Sequence, residues 1–161
     1  MVMQRYMNIG VYAALFVALL DQLSKWWVQT YVVVPPQAVV EVTYYFNLIL
    51  KWNKGVTFGL LAHNATWAPY AFTAVALIIV AFLLNWLMRA SSVAVALGLG
   101  LVMGGAVGNV IDRLRYGAVV DFLDFHWQNH HWYTFNVADA AIVCGVGLLL
   151  LENLARGKKK R

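Results

Sequence analysis

A chain of 161 residues with 62% hydrophobic and only 12% charged residues lacks the polar surface that coats a water-soluble globule, where about a quarter of residues are charged. The formal net charge of +5 sits mainly in the last few residues, where a basic tail beside anionic lipid accounts for it without nucleic acid. The single cysteine, Cys144, rules out an intrachain disulfide and a cysteine-based metal site; inside an apolar run it reads as a small packing residue.

Taken in chain order, the first apolar run is IGVYAALFVALL over residues 9–20, resuming at Trp26, Trp27 and Val28 after a polar patch. It follows Arg5 but leads into Asp21-Gln-Leu-Ser-Lys25 with no small-x-small cleavage site, so a retained helix over about 9–28 is expected, not a cleaved leader. Residues 29–66 form the first long loop. Its runs TYVVV and VVEVTYYFNLIL, broken by Pro35-Pro36, favour strands, and residues 51–58 read as a turn flanked by strand. A second helix is expected over 68–88 and a third over 93–113, with only a short link between them. Residues 114–131 make the second loop, opening on Leu-Arg-Tyr-Gly117, continuing as the strand-like AVVDFLDF and ending in WQNHHW; Gly117 and the polar stretch suggest a lid. A fourth helix is expected over 133–153. The fold class implied is an all-α membrane protein: one integral domain over residues 1–161, four transmembrane helices in a bundle, and a small β-rich extracytoplasmic platform.

Arg5, Arg89, Arg156 and Lys158 to Arg161 fall on one side of four such spans, which makes both termini cytoplasmic. Lys51, Lys54, Arg113 and Arg115 fall on the other side. Trp26, Trp27, Trp52, Trp67, Trp127 and Trp132 all lie near span ends, as an interfacial aromatic belt requires.

Ionisable groups in a span are costly and usually face a polar interior. Asp21, Ser24 and Lys25 share one face at the end of the first helix. Asn109, Asp112 and Arg113 do so at the end of the third, and Asn136 and Asp139 at the start of the fourth. All three clusters fall at the outward ends of their helices, and Asp121 and Asp124 in the joining loop can reach the same depth. Asp21–Lys25 and Asp112–Arg113 are equally explained as ion pairs holding the bundle. Asp139 has no basic residue three or four positions away and is harder to explain so. Two adjacent carboxylates cannot both ionise easily, so one keeps a proton while the other acts as base, the arrangement that activates water for amide hydrolysis. Asp139 is the natural first member; spacing leaves Asp121 and Asp124 both open as the second.

Gly100, Gly104 and Gly108 make two overlapping GxxxG steps and predict close helix packing, and Gly105 leaves room beside the polar face. His126 and His130 have the i, i+4 spacing of helical zinc ligands, with His131 adjacent, but no glutamate lies between them as in a zinc-protease helix, and a wetted interfacial segment is the favoured reading. A transporter or proton channel would also carry intramembrane aspartates, yet it needs polar groups along a whole path, and here they gather at one end. A structural subunit binding through its glycine faces leaves Asp139 unexplained.

Five segments together resemble bacterial lipoprotein signal peptidases, the signal peptidase II family. They are Asp21-Gln-x-Ser-Lys25, Asn53-x-Gly55-x-x-Phe58, Gly104-Gly-Ala-x-Gly-Asn109-x-x-Asp112-Arg113, Val120-Asp121-Phe122 and Phe135-Asn-x-Ala-Asp139, in the family's order. The resemblance implies an aspartic endopeptidase that uses no cofactor or metal, with Asp121 and Asp139 as the catalytic pair. It also implies supporting, substrate-holding roles for Asp21, Lys25, Asn53, Gly105, Asn109, Asp112, Arg113 and Asn136. The implied substrates are diacylglyceryl-modified prolipoproteins, cut just before the lipid-modified cysteine. The implied setting is the bacterial inner membrane, with membrane lipids as partners, the site near the outer leaflet and the chain acting as a monomer. Val56-Thr57 depart from the family's usual small alanines, which bears on how that loop touches substrate.

Overall fold

The computed structural model describes residues 2–32, 39–55 and 67–159. Its elements are α1 (Val2–Trp27), a π-helical turn (Val28–Val32), β1 (Val39–Thr43), β2 (Phe46–Asn53), α2 (Ala68–Leu87), α3 (Val93–Tyr116), β3 (Val119–Trp127), β4 (His130–His131) and α4 (Val137–Lys159). Four helical stretches, Gln4–Val32, Ala68–Leu87, Val93–Tyr116 and Val137–Gly157, are long and apolar enough to cross a membrane. Their outward faces carry exposed large apolar side chains such as Phe16, Ile78, Phe82 and Leu151, which suits a lipid solvent.

α3 is the centre of the bundle: 61% of its apolar window is buried, against 11–17% for the other three spans. Its glycines explain why. Gly100 and Gly104 meet the backbone of α1 at Gly10 and Ala14, and Gly108 meets the Asp21 carboxylate. On another face, Gly98 and Gly105 meet α4 at Gly145 and Ala138. The GxxxG stripe is therefore the α1 contact, and the glycines beside it form the α4 contact. α2 packs mainly on α3 through Leu83 and Leu87, which join Ala90, Val95, Ala96, Leu99 and Met103 in an apolar cluster at the end nearer the α2–α3 turn. α3 starts at Ser92, whose Oγ accepts from the Val95 N–H at 3.2 Å, and stops at Gly117, whose φ of 69° needs no side chain.

The strands form one antiparallel sheet ordered β1-β2-β3-β4. β1 and β2 are joined at Tyr44-Tyr45, with Thr43 opposite Phe46. β2 pairs with β3 in two registers: Leu48 opposes Leu123 but Lys51 opposes Asp121, so β2 carries one extra residue in a bulge. Val28, Leu48 and Phe122 form a small core between the end of α1 and the sheet. By connectivity, the sheet caps the end of the bundle opposite the α2–α3 turn and the chain termini.

Several boundaries differ from those expected. α1 begins at Val2, well before residue 9, and helical structure runs on as the π-turn to Val32, inside the expected loop. α3 continues to Tyr116, and α4 begins at Val137 instead of 133 because Asn136 caps it. WQNHH forms the β3–β4 hairpin, with Gln128 at φ 53°. Cys144 is exposed on the outer face of α4 and does not serve as core packing. The Pro35-Pro36 break and residues 56–58 of the expected turn lie outside the described residues.

Candidate active site

The polar ends of α1, α3 and α4 meet beneath β3 in one hydrogen-bonded network. Its foundation is Lys25, 2% exposed, whose ammonium lies 2.7 Å from Asp21 Oδ2, 2.8 Å from Asp112 Oδ2 and 3.2 Å from Asn109 Oδ1. Three N–H groups thus meet three acceptors, the condition for keeping a buried cation. Asp21 also accepts the Ala138 N–H at 2.9 Å, an N–H that the first turn of α4 leaves without a helical partner. Asp112 accepts from Gln22 at 2.8 Å and from the Val120 N–H at 3.0 Å, which pins the start of β3 to α3. The expected Asp112–Arg113 pairing is replaced by Asp112–Lys25. Arg113 instead lies over the Phe72 ring and donates to the Asn109 carbonyl.

Above this foundation sit Asp121 and Asp139. Asp121 leaves β3 with 1% exposure and Asp139 is in the first turn of α4. Each carboxylate oxygen has a donor. Asp121 Oδ1 accepts from Asn136 Nδ2 at 2.7 Å, and Oδ2 from Asn53 Nδ2 at 2.9 Å. Asp139 Oδ1 accepts from Asn109 Nδ2 at 2.9 Å, and Oδ2 from the Asn136 N–H at 3.3 Å. Asn136 therefore touches both acids.

The local sequence explains this geometry. Asn136 is the N-cap of α4: its Oδ1 accepts the Asp139 N–H at 2.9 Å while Asp139 returns a bond to the Asn136 N–H, a reciprocal capping box. With its carbonyl so engaged, the Asn136 amide is left to donate toward Asp121. Phe135, just before it, exchanges two backbone hydrogen bonds with Leu123 on β3, and its carbonyl also accepts from the Phe122 N–H, which lays the start of α4 alongside Asp121. Asn53 is oriented in the same way, since its Oδ1 accepts the Gly55 N–H at 2.9 Å in an Asx-type turn where Gly55 adopts a φ of 76°. Asn109 accepts from Lys25 and Asn136 and is thereby oriented to donate to Asp139.

Burial pushes the Asp121 carboxyl up to about 6; the Asp139 charge adds to the rise, while hydrogen bonds from Asn53 and Asn136 oppose it. Asp124, the other acid that spacing left open, is three residues along the strand and leaves the opposite face. It pairs with His131 at 2.9 Å and accepts from Asn47 at 3.4 Å. His126 and His131 stack at 5.1 Å across the hairpin, so the i, i+4 histidine spacing does not fall on a helix. The hairpin is held further by Tyr45 stacked on Trp127 at 5.1 Å, contacts that anchor the stretch expected to be a lid.

Of the other residues singled out in the sequence, Gly105 lies between α3 and α4, where an added Cβ would strike the Ala138 carbonyl; it is placed for helix contact one turn from the acids. Gln22, part of the Asp21-Gln-x-Ser-Lys25 segment but given no role there, ties α1 to Asp112 and to the Gly108 carbonyl. The capping box was readable as Asn136-x-x-Asp139. The Asp124–His131 pair was not, because its partners meet only through the β3–β4 turn.

Residues 13–155 match the family model described as signal peptidase (SPase) II. A lipoprotein signal peptidase of Rhodopseudomonas palustris (strain TIE-1) is 41% identical over 154 residues, covering 91% of this chain and 92% of that one. One from Paraburkholderia phytofirmans is 46% identical over 151 residues, covering 92% and 86%. A bacterial membrane enzyme solved by the in meso method at 1.9 Å is 27% identical, with a TM-score of 0.79 over 91% of this chain and 93% of its own. The chain belongs to the signal peptidase II family.

Proposed function

We propose that this protein is an aspartic endopeptidase of the bacterial inner membrane that removes signal peptides from diacylglyceryl-modified prolipoproteins, cutting just before the lipid-bearing cysteine. Family membership supports a protease acting on prolipoproteins. The observation that favours an aspartic mechanism is Asn136 bonded to both Asp121 and Asp139, which holds two acids from different elements in one buried cluster.

Asp121, whose carboxyl burial pushes up to about 6, is assigned the proton that the pair shares. Asp139 takes a proton from water as the water oxygen attacks the scissile carbonyl carbon, and Asp121 gives its proton to the carbonyl oxygen. Asp139 then passes the acquired proton to the amide nitrogen as the C–N bond breaks, and Asp121 recovers its own proton from the collapsing hydroxyl. One water is consumed, and a carboxylic acid and an amine result. The three asparagines hold both acids through fixed amides, so little reorganisation accompanies proton movement. Lys25, Asp21 and Asp112 serve beneath as the support. In the bilayer the substrate's acyl chains lie in lipid, the peptide enters extended beside β2 and β3, and the termini of this chain face the cytoplasm, following Arg5, Arg89 and the basic tail.

Purified Asp121→Asn and Asp139→Asn variants, assayed separately on a diacylated precursor by gel shift, are expected to lose about 10²–10⁴-fold in turnover while still inserting and folding. Turnover retained by either variant removes that residue from the chemistry.

A further inference from the structure

Lys51 on β2 is the Cα partner of Asp121 on β3. Directly opposed residues of an antiparallel pair project to the same face of the sheet, so Lys51 rises beside the buried acid. Its ammonium lies 5.1 Å from the centroid of the Tyr133 ring. Tyr133 belongs to the segment between β4 and α4, just ahead of Asn136 and Asp139. The lysine therefore reaches from the strand flanking Asp121 to the segment that leads into α4. It does so on the exposed side, since Tyr133 is 53% exposed and Lys51 is exposed, whereas Asp121 is buried.

A cation–π contact between exposed groups is weak, so the ammonium is free to exchange the ring for a better partner. A carboxylate is such a partner. Under the function proposed above, on which this inference rests, the acyl chains stay in the bilayer and the exported part of the substrate leaves on the sheet side. The residues that follow the lipid-bearing cysteine then pass between β2 and the 132–136 segment, where Lys51 and Tyr133 stand. We propose that Lys51, held against Tyr133 on the exposed side of the site, is a specificity-determining residue that favours an acidic side chain in the first few positions after that cysteine and disfavours a basic one.

The test uses two diacylglyceryl-modified precursors that differ only in carrying Asp or Lys at the two positions after the cysteine. The readout is the ratio of their kcat/KM values within each protein, so a change in overall turnover cancels. The unsubstituted protein is expected to prefer the acidic precursor about three- to tenfold, Lys51→Gln to abolish the preference and Lys51→Glu to reverse it. Lys54→Glu, a change of equal charge at an exposed position beyond the end of β2, is expected to leave the ratio within about twofold. A ratio unaffected by Lys51→Glu, or changed equally by Lys54→Glu, overturns the assignment of Lys51 while leaving the protease intact. Failure of the unsubstituted protein to cut either precursor overturns both the assignment and the proposed activity.

Discussion

Asn53, Asn109 and Asn136 each spend the amide oxygen on another partner and direct the NH₂ at an acid. That division of labour controls protonation. A hydrogen bond donated to a carboxylate favours its charged form, and such a bond to a charged group is worth about 1.5–3 kcal/mol. Asn53 thus works against the burial that raises Asp121 to about 6. The pair needs one proton, so kcat/KM is expected to fall as pH rises through about 6, when Asp121 loses its proton; the midpoint belongs to the coupled pair. Asn53→Ala removes a stabiliser of the ionised form, so this descending limb is expected to move to higher pH, as a pH series of kcat/KM on one precursor would reveal. An unmoved limb would mean that the carboxyl titrating there is not Asp121.

α3 is a helix built for contact on more than one face. Its glycine stripe admits α1 so closely that an added Cβ at Gly104 would lie 2.8 Å from Val17 Cβ, and even less from the Ala14 carbonyl oxygen. Only because α1 and α3 approach so closely can Lys25 reach Asp112 and Asn109. Gly104→Val is accordingly expected to lower the thermal unfolding midpoint in detergent, the strain amounting to about 1–3 kcal/mol, and to slow cleavage with it. Gly147→Ala in α4 is the counterpart: nothing lies within 4 Å of its added Cβ, so helix propensity alone acts and the midpoint is expected to hold or rise slightly. Equal effects from the two substitutions would mean that α1–α3 proximity is not what Gly104 supplies.

Across the whole molecule, one buried ion cluster fastens the parts together. Asp21 and Lys25 come from α1, Asp112 from α3, and the N–H groups they satisfy belong to α4 and β3. Lys25→Met is therefore expected to destabilise the fold by about 3–5 kcal/mol, because it strands two buried carboxylates, and to do so before any substrate is added. A detergent melting curve indistinguishable from that of the unsubstituted protein would show that the cluster does not carry the bundle. All of this polarity lies at the sheet end, and the apolar cluster around Leu87 and Leu99 stands between it and the Glu152–Arg156 pair with Ser91 and Ser92 at the other end. A transport path would need polar groups through both halves.

Composition and run length alone determined that the chain has four spans, because a helix that must satisfy its backbone in lipid needs about twenty apolar residues and little else. Helical spacing likewise grouped Asp21 with Lys25 and Asn109 with Asp112, since neighbours on one helix face are a local property. The sequence could not say that Lys25 would take Asp112 from Arg113, nor that Asp121 would meet Asn53 and Asn136 while Asp124 met His131 and Asn47. Those outcomes depend on how closely α1 meets α3 and on where the Phe135–Leu123 bridge sets the start of α4 against β3. Contacts between residues about a hundred positions apart leave no periodicity in a single chain; only the packed tertiary structure decides them.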